Sequence, residues 1–187
     1  MITSERGKVA VSNKTWHSAL SECRFHDMTS TSQAQLVISA LRESKETVSV
    51  AESLTGGGVG LDLTQVPGAS EVFLGGVIAY TEDVKLNFLQ VKKTTISEFT
   101  VVSEEVAREM ADGARKAFGT TWAIATTGVA GPGDFMGHRE GTVWIAIAGP
   151  VEETIQLTLD GDRDGVRHGA ISSAIATFAR ILSQRAL

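Results

Sequence analysis

Val48-Ser49-Val50-Ala51-Glu52-Ser53-Leu54-Thr55-Gly56-Gly57-Gly58 is an apolar run that stops at a serine and gives way to three glycines. A short apolar run of this kind reads as a buried strand, and clustered glycines read as a tight turn. A helix is expected to start just beyond it. A serine at such a corner can be exposed, and the backbone N–H groups around it can meet an anion. The plainer reading is a turn between core elements, with Ser53 or Thr55 as a helix N-cap.

Outward from that corner the pattern is regular. Upstream, Leu36, Val37, Ala40 and Leu41 fall at helical spacing and predict an amphipathic helix over 33–44, feeding a strand at Thr47–Ala51. Downstream, Gly56–Thr64 reads as a short glycine-rich helix and Val66-Pro67-Gly68 as a turn. Val72–Tyr80 is β-like, with Gly75 and Gly76 marking a bulge or close packing, and Thr81–Leu89 is helical. Ser103 is placed to cap a helix that runs to Phe118 and ends at Gly119, with Glu104 and Glu105 complementing its dipole. Trp122–Thr126 and Thr142–Ala148 are nearly continuous apolar runs, as in strands buried on both faces. Thr154–Leu159 alternates, as at a half-covered edge, and a last helix covers Arg163–Ser183. The interleaving predicts a single α/β domain whose central sheet, largely parallel or mixed, is covered by helices on both faces.

Composition fits one such domain: 187 residues, 42% of them apolar. The formal net charge of −5 gives no reason to expect nucleic acid or an anionic membrane as partner. One cysteine, Cys23, permits no internal disulfide and fits a cytoplasmic location. No apolar stretch reaches the length of a membrane span, and the first residues lack the apolar core of a signal peptide. Residues 1–32 are polar and aperiodic, a poorly ordered extension or a packing arm ahead of a domain at 33–187. Met28 is an alternative start. His17, Cys23 and His26 lack metal-ligand spacing, so no metal is expected there.

Three segments that follow strands can carry chemistry. They are Glu52–Gly57, Tyr80–Lys85 and Thr126–Asp134. Loops at one edge of an α/β sheet build its binding crevice, and convergence of these three would surround one pocket with Ser53, Tyr80, Lys85 and Thr127. The context of Ser53 is not Gly-x-Ser-x-Gly, and no Ser-x-x-Lys occurs in the chain. A Ser-His-Asp triad would have to recruit His138 or His168.

The segments AESLTGG (51–57), PGASEVFLGGVIAYTEDVK (67–85), VSEEVAREMADGAR (102–115), ATTGVAGPG (125–133) and GTVWIAIAG (141–149) resemble the C-terminal domain of the CinA family, competence/damage-inducible protein A. The resemblance covers nearly all of residues 33–185. Characterised members of that family are nicotinamide mononucleotide deamidases, also called PncC, and the chain resembles their stand-alone form. The activity implied is hydrolysis of the carboxamide of nicotinamide mononucleotide to nicotinate mononucleotide and ammonia, with no cofactor. It places the chain in pyridine nucleotide salvage. The expected partners are that small-molecule substrate and further copies of the chain.

The resemblance implies catalytic roles for three residues. Ser53 would be the nucleophile, Lys85 the base that activates it, and Tyr80 a proton relay or orienter. A serine needs such a base at neutral pH, and a lysine can serve only if its pKa is depressed. Substrate-binding candidates are Thr55, Gly56, Gly57, Thr127 and Gly128, together with Arg163 and Arg167 from a GDR-x-x-x-R segment, either of which could fork onto the phosphate. Two departures stand out. Leu54 replaces a cysteine that the family often carries after the serine. Asp134-Phe135-Met136-Gly137-His138-Arg139-Glu140 replaces a loop that usually runs through Thr and a Lys-Pro pair. Two alternatives remain at this stage. One is an amidohydrolase acting on a different pyridine nucleotide or amide. The other is a catalytically silent nucleotide-binding or protein-partner module linked to competence or DNA damage.

Overall fold

The computed structural model describes residues 28–185. Of the expected extension over 1–32, residues 1–27, including the group His17, Cys23 and His26, lie outside the described residues, whereas 28–32 already belong to the first helix. The elements run α1 (Met28–Ser44), β1 (Val48–Glu52), α2 (Gly58–Thr64), a 3-10 turn (Ala69–Glu71), β2 (Phe73–Ile78), α3 (Glu82–Leu89), α4 (Lys93–Phe99), α5 (Glu104–Phe118), β3 (Trp122–Gly128), β4 (Thr142–Ala148), β5 (Glu153–Thr158) and α6 (Arg163–Arg185). Among the described residues no helix is long and apolar enough to cross a membrane.

The five strands form one mixed sheet in the order β2-β1-β3-β4-β5. β1 is parallel to both β2 and β3, whereas β4 and β5 are antiparallel additions. Parallel neighbours require helical crossovers, which α2 and the run α3–α5 supply. The carboxyl ends of β2, β1 and β3 therefore lie side by side, with β1 between the other two.

Strand composition decides what covers each face. On β3, Trp122 and Ile124 join one core while Ala123 and Ala125 join the other. On β4, Val143, Ile145 and Ile147 face the first core and Ala146 and Ala148 the second. The bulky face meets α1, α2 and α6 through residues such as Ile38, Leu41, Leu63, Ile175 and Phe178. The alanine face lets α5 lie close, through Val106, Ala107, Met110, Ala111 and Ala114, with Leu89 and Ile96 beside it. Alternation of side chains along a strand makes this division possible.

Gly75 and Gly76 do what their position in a strand implies. The β1–β2 register slips between Val48 and Ser49, a local irregularity opposite Gly75. At Gly76 an added Cβ would run into the side chain and carbonyl of Val50. The strand reading of Val72–Tyr80 was too long, since β2 ends at Ile78 and Tyr80 stands outside the ladder. Conversely β3 continues to Gly128, so Thr127 and Gly128 are strand residues and not loop residues.

Candidate active site

Ser53 sits one residue past β1, and its N–H still bonds Thr126 O at 3.0 Å, continuing the parallel ladder. The corner that follows is fixed from three sides. From β1, the carboxylate of Glu52 accepts N–H bonds from Gly57 (2.9 Å), Val59 (3.1 Å) and Gly60 (2.8 Å). It thereby satisfies the amides that open α2. From β3, Thr126 Oγ1 pairs with Thr55 Oγ1 at 2.7 Å. From α6, Arg167 donates Nε to Leu54 O (3.1 Å) and Nη2 to Thr55 O (3.2 Å).

Lys85 arrives from the other side. Thr81 caps α3 by accepting from Val84 N–H, and the first turn of that helix turns Lys85 inward, where it is 2% exposed. Its Nζ donates to Ser53 Oγ at 3.1 Å and to Ala79 O at 2.7 Å. Burial pushes the ammonium down to about 8 from its ordinary 10.5, against the opposite pull of Glu82. His138 bonds Thr100 and His168 bonds the carbonyl of Asp164. The group on the serine hydroxyl is therefore a lysine.

Ser53 and Lys85 open onto a cavity of about 500 Å³, whose wall also includes Tyr80, Thr127, Gly128 and Arg163. That volume suits a small-molecule ligand. The Tyr80 hydroxyl accepts from Arg163 Nη2 at 2.8 Å, while Arg163 Nη1 donates to Gly131 O at 2.6 Å. Because the arginine occupies an oxygen lone pair, the phenolic proton is left to donate elsewhere. Thr127 donates its hydroxyl to Val101 O at 2.7 Å.

The chain matches the CinA C-terminal domain over residues 30–182.

It belongs to the CinA family.

A CinA-like protein of Prochlorococcus marinus (strain MIT 9313) is 51% identical over 157 residues, covering 82% of this chain and 35% of that protein. A CinA-like protein of Nostoc punctiforme is 39% identical over 167 residues, covering 86% of this chain and 40% of that protein. The chain thus spans well under half the length of these curated relatives. Among solved structures, a CinA superfamily protein from Klebsiella pneumoniae superposes with a TM-score of 0.80 at 30% identity, covering 83% of this chain and 98% of that one. The competence/damage-inducible protein CihA from Agrobacterium tumefaciens gives 0.80 at 29% identity, covering 85% and 98%.

Within this CinA domain the candidate residues divide into two groups. Ser53, Tyr80, Lys85, Thr127, Gly128 and Arg163 share the cavity wall. Thr55, Gly56, Gly57 and Arg167, also expected to contact substrate, are not among the residues that line that cavity. Thr55 is fully buried, and its hydroxyl is engaged with Thr126. The N–H groups of Gly56, Gly57 and Gly58 bond Ser53 O, Glu52 and Thr55 O, so the loop presents no vacant anion cradle. Arg167 buttresses the serine corner and pairs with Asp164.

Glu52 was missed from sequence, although it lies inside the quoted motif. Glu52→Ala would leave three N–H groups of the corner without their acceptor. Val59 N–H is buried and those of Gly57 and Gly60 are partly so. At about 1–3 kcal/mol for a buried unmet donor and less for the other two, the expected loss is about 2–3 kcal/mol. Urea unfolding would check it, and a change below about 1 kcal/mol would show that water replaces the carboxylate freely.

Proposed function

We propose that this CinA domain hydrolyses the carboxamide of nicotinamide mononucleotide, releasing ammonia and nicotinate mononucleotide. The observation that carries this is the 3.1 Å contact between Ser53 Oγ and a buried, depressed Lys85 at the wall of a ligand-sized cavity. Serine becomes a nucleophile when a neighbouring base takes its proton, and neutral Lys85 is that base. Its own proton-accepting lone pair faces the hydroxyl once the ammonium has released a proton to solvent.

In the sequence of events, Lys85 takes the proton of Ser53 as Oγ attacks the amide carbon. The negative charge that develops on the carbonyl oxygen is met by peptide N–H groups of the cavity wall, and Leu54, next to the serine, is the first assigned. Tyr80, its hydroxyl oriented by Arg163, donates towards the departing nitrogen or orients the carboxamide. Collapse delivers the proton held on Lys85 to the departing nitrogen, directly or through the Tyr80 hydroxyl, expels ammonia and leaves an acyl-serine with Lys85 neutral. Water then attacks that ester as Lys85 accepts its proton and returns it to the Ser53 oxygen when the carboxylate leaves. Arg163, with N–H groups beyond the two it commits to Tyr80 and Gly131, is the cation assigned to the phosphate. Thr127 and Gly128 position the substrate.

The decisive experiment is incubation of the purified protein with nicotinamide mononucleotide and measurement of ammonia. Stoichiometric release with nicotinate mononucleotide as co-product supports the reading. Absence of ammonia at high enzyme concentration removes it in favour of a silent binding module. Because nucleophile and base are both side chains of this site, activity is expected to survive exhaustive treatment with EDTA. Loss on chelation with recovery on adding zinc or manganese would replace the serine by a metal-activated water.

A further inference from the structure

The segment from Val129 to Gly141 carries two large apolar side chains that the core does not use. Phe135 is 50% and Met136 53% exposed, and both line the cavity. The backbone fixes their place. Phe135 and His138 exchange both N–H···O bonds at 2.9 Å, with Met136 and Gly137 at φ +49° and +81°. Two successive residues in the left-handed region make the tight turn that suits a two-residue hairpin.

The tip is anchored at three points. His138 Nε2 bonds Thr100 Oγ1 at 2.8 Å, Glu140 N–H donates to Asp134 Oδ1 at 3.0 Å, and Gly133 N–H donates to Glu140 Oε2 at 2.7 Å. Thr100 itself stands at φ +66°, which a β-branched residue adopts only where its surroundings hold it. From a different segment Tyr80 offers a second half-exposed ring to the same cavity, and Glu82 and Asp134 add carboxylates to its wall. Aromatic faces and carboxylates share a preference for positive charge, and a thioether packs well at a ring edge.

We propose that Phe135 and Met136 form a platform for the positively charged pyridinium ring of the substrate and so determine which ring the site accepts. This rests on the pyridine-nucleotide reading above and goes beyond it. It locates ring selection in the hairpin around Phe135 and Met136, away from the Ser53–Lys85 pair.

The test compares binding of oxidised nicotinamide mononucleotide with binding of its reduced, uncharged dihydropyridine form. Calorimetry on the full chain in a Ser53→Ala background prevents turnover. Ribose and phosphate are common to both ligands, so the ratio of dissociation constants isolates the ring. The oxidised form is expected to bind about fivefold tighter, as a cation over an aromatic face should. Adding Phe135→Ala should bring the ratio close to one, whereas Phe135→Tyr should keep it. General damage to the fold would weaken both ligands alike and leave the ratio standing.

A ratio unchanged by Phe135→Ala, a ratio near one without it, or binding of neither form overturns the platform. Ammonia release by the wild-type chain is scored separately. If it fails while the ratio behaves as expected, the amidase chemistry falls and the platform stands.

Discussion

Ser53→Ala is expected to abolish ammonia release from nicotinamide mononucleotide, by at least about a thousandfold, with little change in stability. The magnitude follows from the role. Removing the attacking oxygen leaves only binding and the oxyanion donors, whose residual catalysis is small. The retained fold follows from the surroundings. The serine's backbone N–H to Thr126 O is untouched by the change, and Lys85 keeps its bond to Ala79 O. The glutamate and arginine that hold the corner do not contact the hydroxyl. Steady-state assays beside a thermal melt would check both halves. Retention of more than about a tenth of wild-type turnover would rule out a covalent serine intermediate and leave the cavity to an activated water.

Lys85→Met carries the second large effect, and it has two signatures. Turnover should fall by roughly 10²–10⁴-fold, the usual cost of a lost general base. In the wild type, kcat/KM should rise with pH towards a plateau governed by a group near 8, because only neutral Lys85 can accept the proton. Stability should respond in a linked way. Below about pH 8 the lysine is protonated in both the folded and unfolded chain, so the folded protein bears the full cost of a buried ammonium. Between about 8 and 10.5 the unfolded chain holds a proton that the folded one has released, and stability therefore climbs with pH. The shift corresponds to about 3 kcal/mol across that window. Denaturation of wild type and Lys85→Met at pH 7 and pH 10.5 should thus show the wild type gaining on the variant. A difference that stays constant with pH would mean that the lysine is not buried as a strained cation.

Much of the fold could be read from the chain because its strands differ so sharply from its helices. The apolar runs at β3 and β4 and the alternation at β5 identified a covered sheet with one half-exposed edge. The Ser103 cap and Gly119 stop bounded α5 correctly. α4 escaped because Lys93-Thr94-Thr95-Ile96-Ser97-Glu98-Phe99 mixes β-branched and polar residues and buries only Ile96, too little for a period to show. Glu52 escaped for a different reason. Its partners are backbone N–H groups, which carry no side-chain signature, and a glutamate after a strand reads as a surface residue. The same blindness hid how the N–H groups of the glycine loop are engaged. Three glycines ahead of a helix look like an anion cradle until their N–H groups are seen to bond Ser53 O, the Glu52 carboxylate and Thr55 O. Arg163 and Arg167 were indistinguishable in sequence, and four residues of helix separate a cavity wall from a buttress.

The strand order also bears on how activity is acquired during folding. Ser53, Tyr80 and Thr127 follow or end three parallel strands whose pairings, Val48 with Phe73 and Val48 with Trp122, join positions far apart in the chain. Parallel pairings close long loops before they gain contacts, so they form slowly. No local fragment can hold the site, because the ladder bond that fixes Ser53 comes from Thr126. In a refolding experiment, helical signal should therefore precede turnover, and turnover should return only with the docking of β3 beside β1.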